Sequence, residues 1–104
     1  LPWEKAKAWD NSAVVGKWVP VAEVKDKAAI NFSLQKNKEI KQQGNSAQMI
    51  HSFDRIVSYI SNYFSVNIGD LIFTGTPAGV GEVVVGDELD CFIDDQKLVA
   101  LAIK

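Results

Sequence analysis

Residues 74–81 carry the most unusual pattern of chemistry-bearing residues in the sequence, Thr-Gly-Thr-Pro-Ala-Gly-Val-Gly. Glycine permits a positive φ angle and lets the backbone approach a ligand closely. Threonine hydroxyls and backbone N–H groups can bind a carboxylate or a carbonyl oxygen. A phosphate-binding P-loop is excluded, because that motif ends in Gly-Lys-Ser/Thr and the segment does not. Composition alone leaves two interpretations open, a structural turn and a ligand-binding loop.

The other reactive side chains form no complete catalytic set. His51 is the only histidine, and the sequence contains no Gly-x-Ser-x-Gly nucleophile elbow. We therefore interpret His51 as an ordinary helix residue. Cys91 alternates with Leu89 and Ile93, which predicts an inert core thiol. The acidic residues are typical of turns and solvated faces, so the sequence predicts no metal ligands in this chain.

Composition indicates a single folded domain. The chain has 104 residues, of which 47% are hydrophobic and 23% charged. Its 11 basic and 13 acidic side chains give a formal charge of −2, which argues against a nucleic-acid partner. No apolar run approaches the roughly 20 residues of a membrane span, so we expect no membrane partner. One cysteine excludes an internal disulfide and favours a reducing, cytoplasmic compartment.

The spacing of apolar residues predicts a hairpin and then a helix. Alternation over residues 30–34 and a short return strand over residues 40–43 predict the hairpin. Apolar residues three and four apart after residue 52 predict an amphipathic helix with Ser52 as its N-cap. An earlier start capped by Asn45 is the alternative. A further short helix is predicted near Pro2.

The C-terminal half is predicted to be rich in β-structure. Apolar runs at residues 71–73 and 83–85 predict buried strands. Residues 89–93 and 98–103 predict two further strands, and the Gly-Asp pairs at 69–70 and 86–87 predict tight turns before strands. The predicted fold class is therefore α+β, a small β-roll or sandwich with one amphipathic helix.

Three motifs together resemble the fumarylacetoacetate hydrolase family. Residues 1–10 (LPWEKAKAWD) resemble its LPW…AK segment, and residues 42–50 (QQGNSAQMI) resemble its Q-x-G-N segment. Residues 69–81 (GDLIFTGTPAGVG) resemble its GD-L-I-x-TGTP-x-GVG signature. The subgroup indicated is the acylpyruvase-like and 2-hydroxyhepta-2,4-diene-1,7-dioate isomerase-like members. The resemblance implies the mixed β-roll of the family's C-terminal type, with residues 1–104 as the C-terminal part of one catalytic domain.

The resemblance also implies an activity. Its members are metal-dependent enzymes that act on a 2-oxo dicarboxylate or an acylpyruvate. They catalyse C–C hydrolysis, decarboxylation or keto–enol isomerisation through a metal-stabilised enolate. The implied cofactor is Mg²⁺ or Mn²⁺, and the implied assembly is a homodimer. Which of the three reactions applies stays open.

Individual residues inherit expected roles from this resemblance. Lys7 matches the family's active-site lysine, and Thr76 matches the threonine that contacts the substrate carboxylate. Gly75 and Pro77 shape the loop around Thr76. The family's metal-binding acids and water-activating His–Glu pair precede the LPW segment. We therefore expect the metal ligands to be absent and this chain alone to be inactive. The alternative is a non-catalytic module with the same fold that binds a small carboxylate or a protein.

Overall fold

The computed structural model describes Lys5 and residues 7–104 as an α+β fold. Within these residues, one four-stranded antiparallel sheet has the strand order β2-β1-β3-β4. The elements are β1 (Asn31–Lys36), β2 (Glu39–Asn45), α1 (Phe53–Ser61), β3 (Glu88–Ile93) and β4 (Gln96–Ala102), with 3₁₀ helices at Val21–Glu23 and Ser46–Gln48. The α+β class and the single amphipathic helix are thereby confirmed.

The predicted hairpin is confirmed as β1 and β2. Asn37 and Lys38 form its two-residue turn with φ angles of 52° and 69°, the conformation that matches the twist of paired strands. Leu34 pairs with Gln42, but the next residue of β1 pairs with Ile40, so Lys41 is an extra residue in β2. This β-bulge lies on an edge strand of the sheet, where it redirects the neighbouring side chains.

The predicted amphipathic helix is confirmed as α1. Its N-cap is Ser52, whose Oγ accepts a hydrogen bond from the Arg55 backbone N–H at 3.1 Å. Asn45 does not cap α1. It caps the separate 3₁₀ helix Ser46–Gln48 through a capping box with Gln48, so the earlier start of α1 was wrong. The predicted helix near Pro2 lies mostly outside the described residues, although Lys5 and Lys7 are helical.

The strands predicted at residues 71–73 and 83–85 are wrong. Both runs are irregular, and Leu71, Phe73 and Val85 are 48%, 70% and 77% exposed. An apolar run becomes a strand only where another strand satisfies its N–H and C=O groups. Among the described strands none pairs with these two runs. The apolar composition of the two runs therefore predicts burial, but it does not show whether a partner strand is present.

The two Gly-Asp pairs form turns of the same design, as predicted. In each, the glycine has a positive φ, 95° and 100° respectively. The aspartate that follows forms two hydrogen bonds with the residue three positions earlier, donating one and accepting the other. Asp70 donates its N–H to the Asn67 carbonyl and accepts the Asn67 N–H on its carboxylate, at 3.1 and 2.7 Å. Asp87 does the same with Val84, at 3.0 and 2.9 Å.

Burial in the described part of the chain is unusual, because its most buried side chains are polar. Ser46, Asp87 and Asp90 are 8%, 9% and 5% exposed, whereas the described apolar side chains are all half-buried or exposed. Cys91 is half-buried, in keeping with a structural thiol. No helix among the described residues is both long enough and apolar enough to span a bilayer.

Candidate functional site

A cavity of about 720 Å³ lies between the 74–77 loop, the edge of the sheet and the start of α1. Thr74, Gly75, Thr76 and Pro77 form one wall. Apolar side chains, including those of Ile30, Phe32, Met49, Phe53, Ile56 and Ile93, line much of the remainder. Further polar side chains line the cavity at Asn45, Ser46, Gln48 and His51. A largely apolar cavity with a few polar groups is the usual form of a small-molecule site.

The polar wall is attached to β2 by one side chain. Gln42 donates from Nε2 to Thr76 Oγ1 at 2.8 Å and to the Pro77 carbonyl oxygen at 3.0 Å. Gln42 lies immediately after the bulged residue Lys41, so the bulge sets the direction of its side chain. The loop and the sheet edge therefore form a single hydrogen-bonded unit.

Gly79 is the second point at which this loop approaches β2 closely. Its φ is 107°, and a Cβ built on it would collide with the carbonyl oxygen of Lys41. Only glycine combines that backbone conformation with so close an approach. Gly75 also has a positive φ, 105°, but a Cβ there would meet no atom within 4 Å. Residue 79 thus requires glycine both for its positive φ and for the room that a Cβ would fill. Residue 75 requires glycine for its positive φ alone.

The opposite wall comes from the segment that begins at Gly44. Gly44 faces the ring of Phe32, and a Cβ at this position would lie 2.8 Å from the ring. Ser46 Oγ accepts the Ile30 N–H at 2.7 Å, which ties the start of the 3₁₀ helix to the start of β1. Asn45 Nδ2 donates to Asn31 Oδ1 at 2.7 Å. The Gln-x-Gly-Asn pattern therefore builds the cavity wall as well as the contact to Thr76.

The predicted site residues divide into two groups in the structure. Thr76, Gly75 and Pro77 lie together on the cavity wall, with Thr76 exposed. Lys7 is helical and exposed, and it is not among the described residues that line the cavity. The interpretation of His51 as a helix residue was wrong, because His51 precedes α1 and lines the cavity. Sequence reasoning missed Gln42 as a site residue. The signal was present in its motif, but its partner Thr76 lies 34 positions away in the chain.

Charged groups with altered pKa values lie away from the cavity wall. The Lys38 hydrogen bond at 3.1 Å lowers the pKa of Asp90, against the opposing effect of burial. Lys97 forms a second ion pair with Asp90 at 3.5 Å. Burial raises the pKa of the Cys91 thiol, and the neighbouring Asp90 charge adds to the shift. None of these groups lines the cavity.

A divalent ion does not fit the described residues. They contain no group of three or more His, Cys, Asp or Glu side chains close enough to hold a metal. Carboxylate oxygens are the usual protein ligands of Mg²⁺ and Mn²⁺. That no metal ligand comes from this chain stays a prediction.

Comparison with known proteins identifies the family that the whole chain matches. The family model "Fumarylacetoacetate (FAA) hydrolase C-terminal" matches residues 1–104. Oxaloacetate tautomerase YcgM of Escherichia coli (strain K12) is 44% identical over 98 residues, covering 93% of this chain and 45% of the relative. The chain thus spans about half the length of the curated relatives that it matches.

Solved structures give the same result. The chain superposes on a fumarylacetoacetate hydrolase family protein of Yersinia pestis CO92 with a TM-score of 0.93 and 41% identity, covering 99% of this chain and 47% of that one. Fumarylpyruvate hydrolase of Pseudomonas aeruginosa, solved with Mn²⁺ and pyruvate, gives a TM-score of 0.89 and 39% identity, covering 98% and 44%. With its whole length matched by the family model, the chain belongs to the fumarylacetoacetate hydrolase family.

Proposed function

We propose that this chain forms the carboxylate-binding wall of an enzyme that acts on 2-oxo acids of the acylpyruvate or oxaloacetate type. The observation that carries the proposal is the Thr76 hydroxyl, held by Gln42 on the wall of a largely apolar cavity. A hydroxyl on a cavity wall can donate to a substrate carboxylate. Relatives named as a tautomerase and as a hydrolase support the substrate class.

The proposal gives each site residue a task. Thr76 donates a hydrogen bond to the substrate carboxylate, and Gly75 and Pro77 hold the loop in the shape that exposes this hydroxyl. Lys7 places an ammonium group near the substrate oxygens and stabilises negative charge that develops there during enolate formation. A positive charge at that point favours tautomerisation, decarboxylation and C–C hydrolysis alike, so it does not distinguish the three reactions.

The metal is proposed to be held by residues other than those described. Mn²⁺ in the structure of fumarylpyruvate hydrolase supports divalent-ion chemistry for the assembled enzyme. The described residues do not supply its ligands. We therefore propose residues 1–104 as the C-terminal part of one catalytic domain, with the metal ligands supplied from outside this stretch.

A non-catalytic carboxylate-binding module is the second candidate, favoured by the lack of a metal-ligand cluster among the described residues. An activity assay on the full-length protein separates the two. With Mn²⁺ or Mg²⁺ present, we expect turnover of oxaloacetate or an acylpyruvate. Thr76→Val should raise KM about tenfold or more, because a hydrogen bond to a charged group is lost, whereas Thr76→Ser should resemble the wild type. Binding of pyruvate without turnover of any 2-oxo acid would favour the module.

A further inference from the structure

We propose that Gln42 is a positioning residue that makes the Thr76 hydroxyl a hydrogen-bond donor toward the cavity. The inference rests on the proposed function, which gives that hydroxyl a carboxylate to meet. Its basis is the forked contact in which Gln42 Nε2 lies 2.8 Å from Thr76 Oγ1 and 3.0 Å from the Pro77 carbonyl oxygen.

The Pro77 carbonyl fixes the orientation of the Gln42 amide. A carbonyl oxygen can only accept, so the Gln42 atom that faces it must be the NH₂ group and not the amide oxygen. The same NH₂ group faces Thr76 Oγ1. Its two hydrogens therefore serve the two acceptors, one each, and Thr76 acts as an acceptor in this contact.

That contact determines what the Thr76 hydroxyl can still do. A threonine hydroxyl has one hydrogen to donate and two lone pairs to accept with. Gln42 occupies one lone pair, which leaves the hydrogen available for a partner other than Gln42. Thr76 is exposed on the cavity wall, so a carboxylate in the cavity can receive this hydrogen. Gln42 thereby keeps the hydroxyl in a donating state before a ligand arrives.

The surrounding backbone supports this arrangement. The bulge at Lys41 turns β2 at the residue before Gln42, and Gly79 approaches the Lys41 carbonyl closely. Two independent contacts thus set the distance between β2 and the loop. Because the loop also packs closely on β2 at Gly79, we expect removal of the Gln42 amide to alter hydroxyl orientation more than loop position.

The test measures the Kd of pyruvate for the full-length protein by titration calorimetry, with Mn²⁺ present throughout. Thr76→Val should raise the Kd for pyruvate by about 10- to 100-fold, the range for a hydrogen bond to a charged group. Gln42→Met should raise it by a similar factor. The double variant should bind no more weakly than Thr76→Val alone, because Gln42 acts through that hydroxyl. Gln43→Met, at the exposed neighbouring glutamine, is the matched control and should match the wild type.

Gln42→Glu separates hydroxyl orientation from loop anchoring. Its ionised carboxylate would accept the Thr76 hydrogen and so remove the donor, while keeping a side chain of the same size. Affinity relative to the wild type should be low near neutral pH. It should recover as the pH falls below about 4.3, the ordinary pKa of a glutamate side chain, and the introduced carboxyl gains a proton. A purely structural role predicts no such recovery.

The outcomes are distinguishable. Weak binding by both single variants, without additivity, supports the inference. Weak binding by Thr76→Val with normal binding by Gln42→Met overturns it and leaves the proposed function intact. Additive losses, or a Gln42→Glu affinity that does not recover at lower pH, also overturn it. If the wild type fails to bind pyruvate, or Thr76→Val binds normally, the proposed function fails and the inference fails with it.

Discussion

Asn37 in the β1–β2 turn and Asp87 before β3 are joined by a side-chain hydrogen bond, Asn37 Nδ2 to Asp87 Oδ1, at 2.9 Å. The Asn37 side chain also accepts the Glu88 N–H at 2.9 Å, and its backbone N–H donates to the Glu88 carbonyl at 2.8 Å. One asparagine in a tight turn thus fixes the start of a strand that begins 51 positions later in the chain.

This contact makes stability depend on pH. The backbone hydrogen bond from Val84 lowers the pKa of Asp87 below its ordinary value of 3.8, and the Asn37 hydrogen bond adds to the effect. Since the folded state binds this proton less readily than the unfolded state, the stabilisation is complete above the unfolded pKa of about 3.9. It is lost as the pH falls through the lower folded value.

Asp87→Asn should therefore lower the melting temperature most at neutral pH. The gap from the wild type should stay constant between about pH 6 and pH 4 and narrow as the pH falls further toward about 2, because protonation then removes the same charge from the wild type. Thermal unfolding of the full-length protein across this range measures it, with exposed Asp95→Asn as the control. A gap that stays constant with pH would show that the Asp87 charge does not contribute.

Local patterns in the sequence were enough for the hairpin and for α1. Both depend on neighbours in the chain, such as the two-residue turn at Asn37 and the Ser52 cap, so alternation and spacing identify them. The runs at residues 71–73 and 83–85 failed because strand formation also needs a partner strand, which composition does not reveal.

The candidate site was predictable only in part. The glycines and threonines of residues 74–81 indicate a loop that can approach a ligand, and the structure places this loop on a cavity. The contact between Gln42 and Thr76 depends on a bulge at Lys41 and on chain folding over 34 positions. No periodic signal in the sequence encodes such a contact, and the resemblance to a family supplied the motif without its geometry.

Gly79→Ala should destabilise the loop more than Gly81→Ala. A Cβ at residue 79 would meet the Lys41 carbonyl and adopt a φ of 107°, whereas residue 81 has open space around it. We expect a loss of about 1–3 kcal/mol for Gly79→Ala and about 0.5 kcal/mol or less for Gly81→Ala. Denaturant unfolding of the full-length protein measures both. Equal losses would mean that the Lys41–Gly79 approach does not constrain the loop.

Cys91 should react slowly with alkylating agents near neutral pH. Burial raises its pKa above the ordinary value of 9.0, and the adjacent Asp90 charge acts in the same direction, so the thiolate is scarce. Iodoacetamide labelling followed by intact mass should show a rate well below that of free glutathione, rising in alkaline solution. The denatured protein supplies the control. Labelling of the folded protein as fast as glutathione would contradict an inert structural thiol.

Lys7→Ala should reduce kcat while leaving the fold intact. If the ammonium stabilises developing negative charge on the substrate, its loss should lower kcat by about 10²- to 10³-fold, the range for removal of one electrostatic group. Lys5 is likewise helical and exposed, so Lys5→Ala is the matched control and should retain activity. Steady-state kinetics of the full-length enzyme on oxaloacetate with saturating Mn²⁺, together with melting temperatures, measure both. Equal activity in the two variants would remove Lys7 from the mechanism. If both variants lose activity equally, or neither does, the effect does not come from a charge positioned at Lys7 alone.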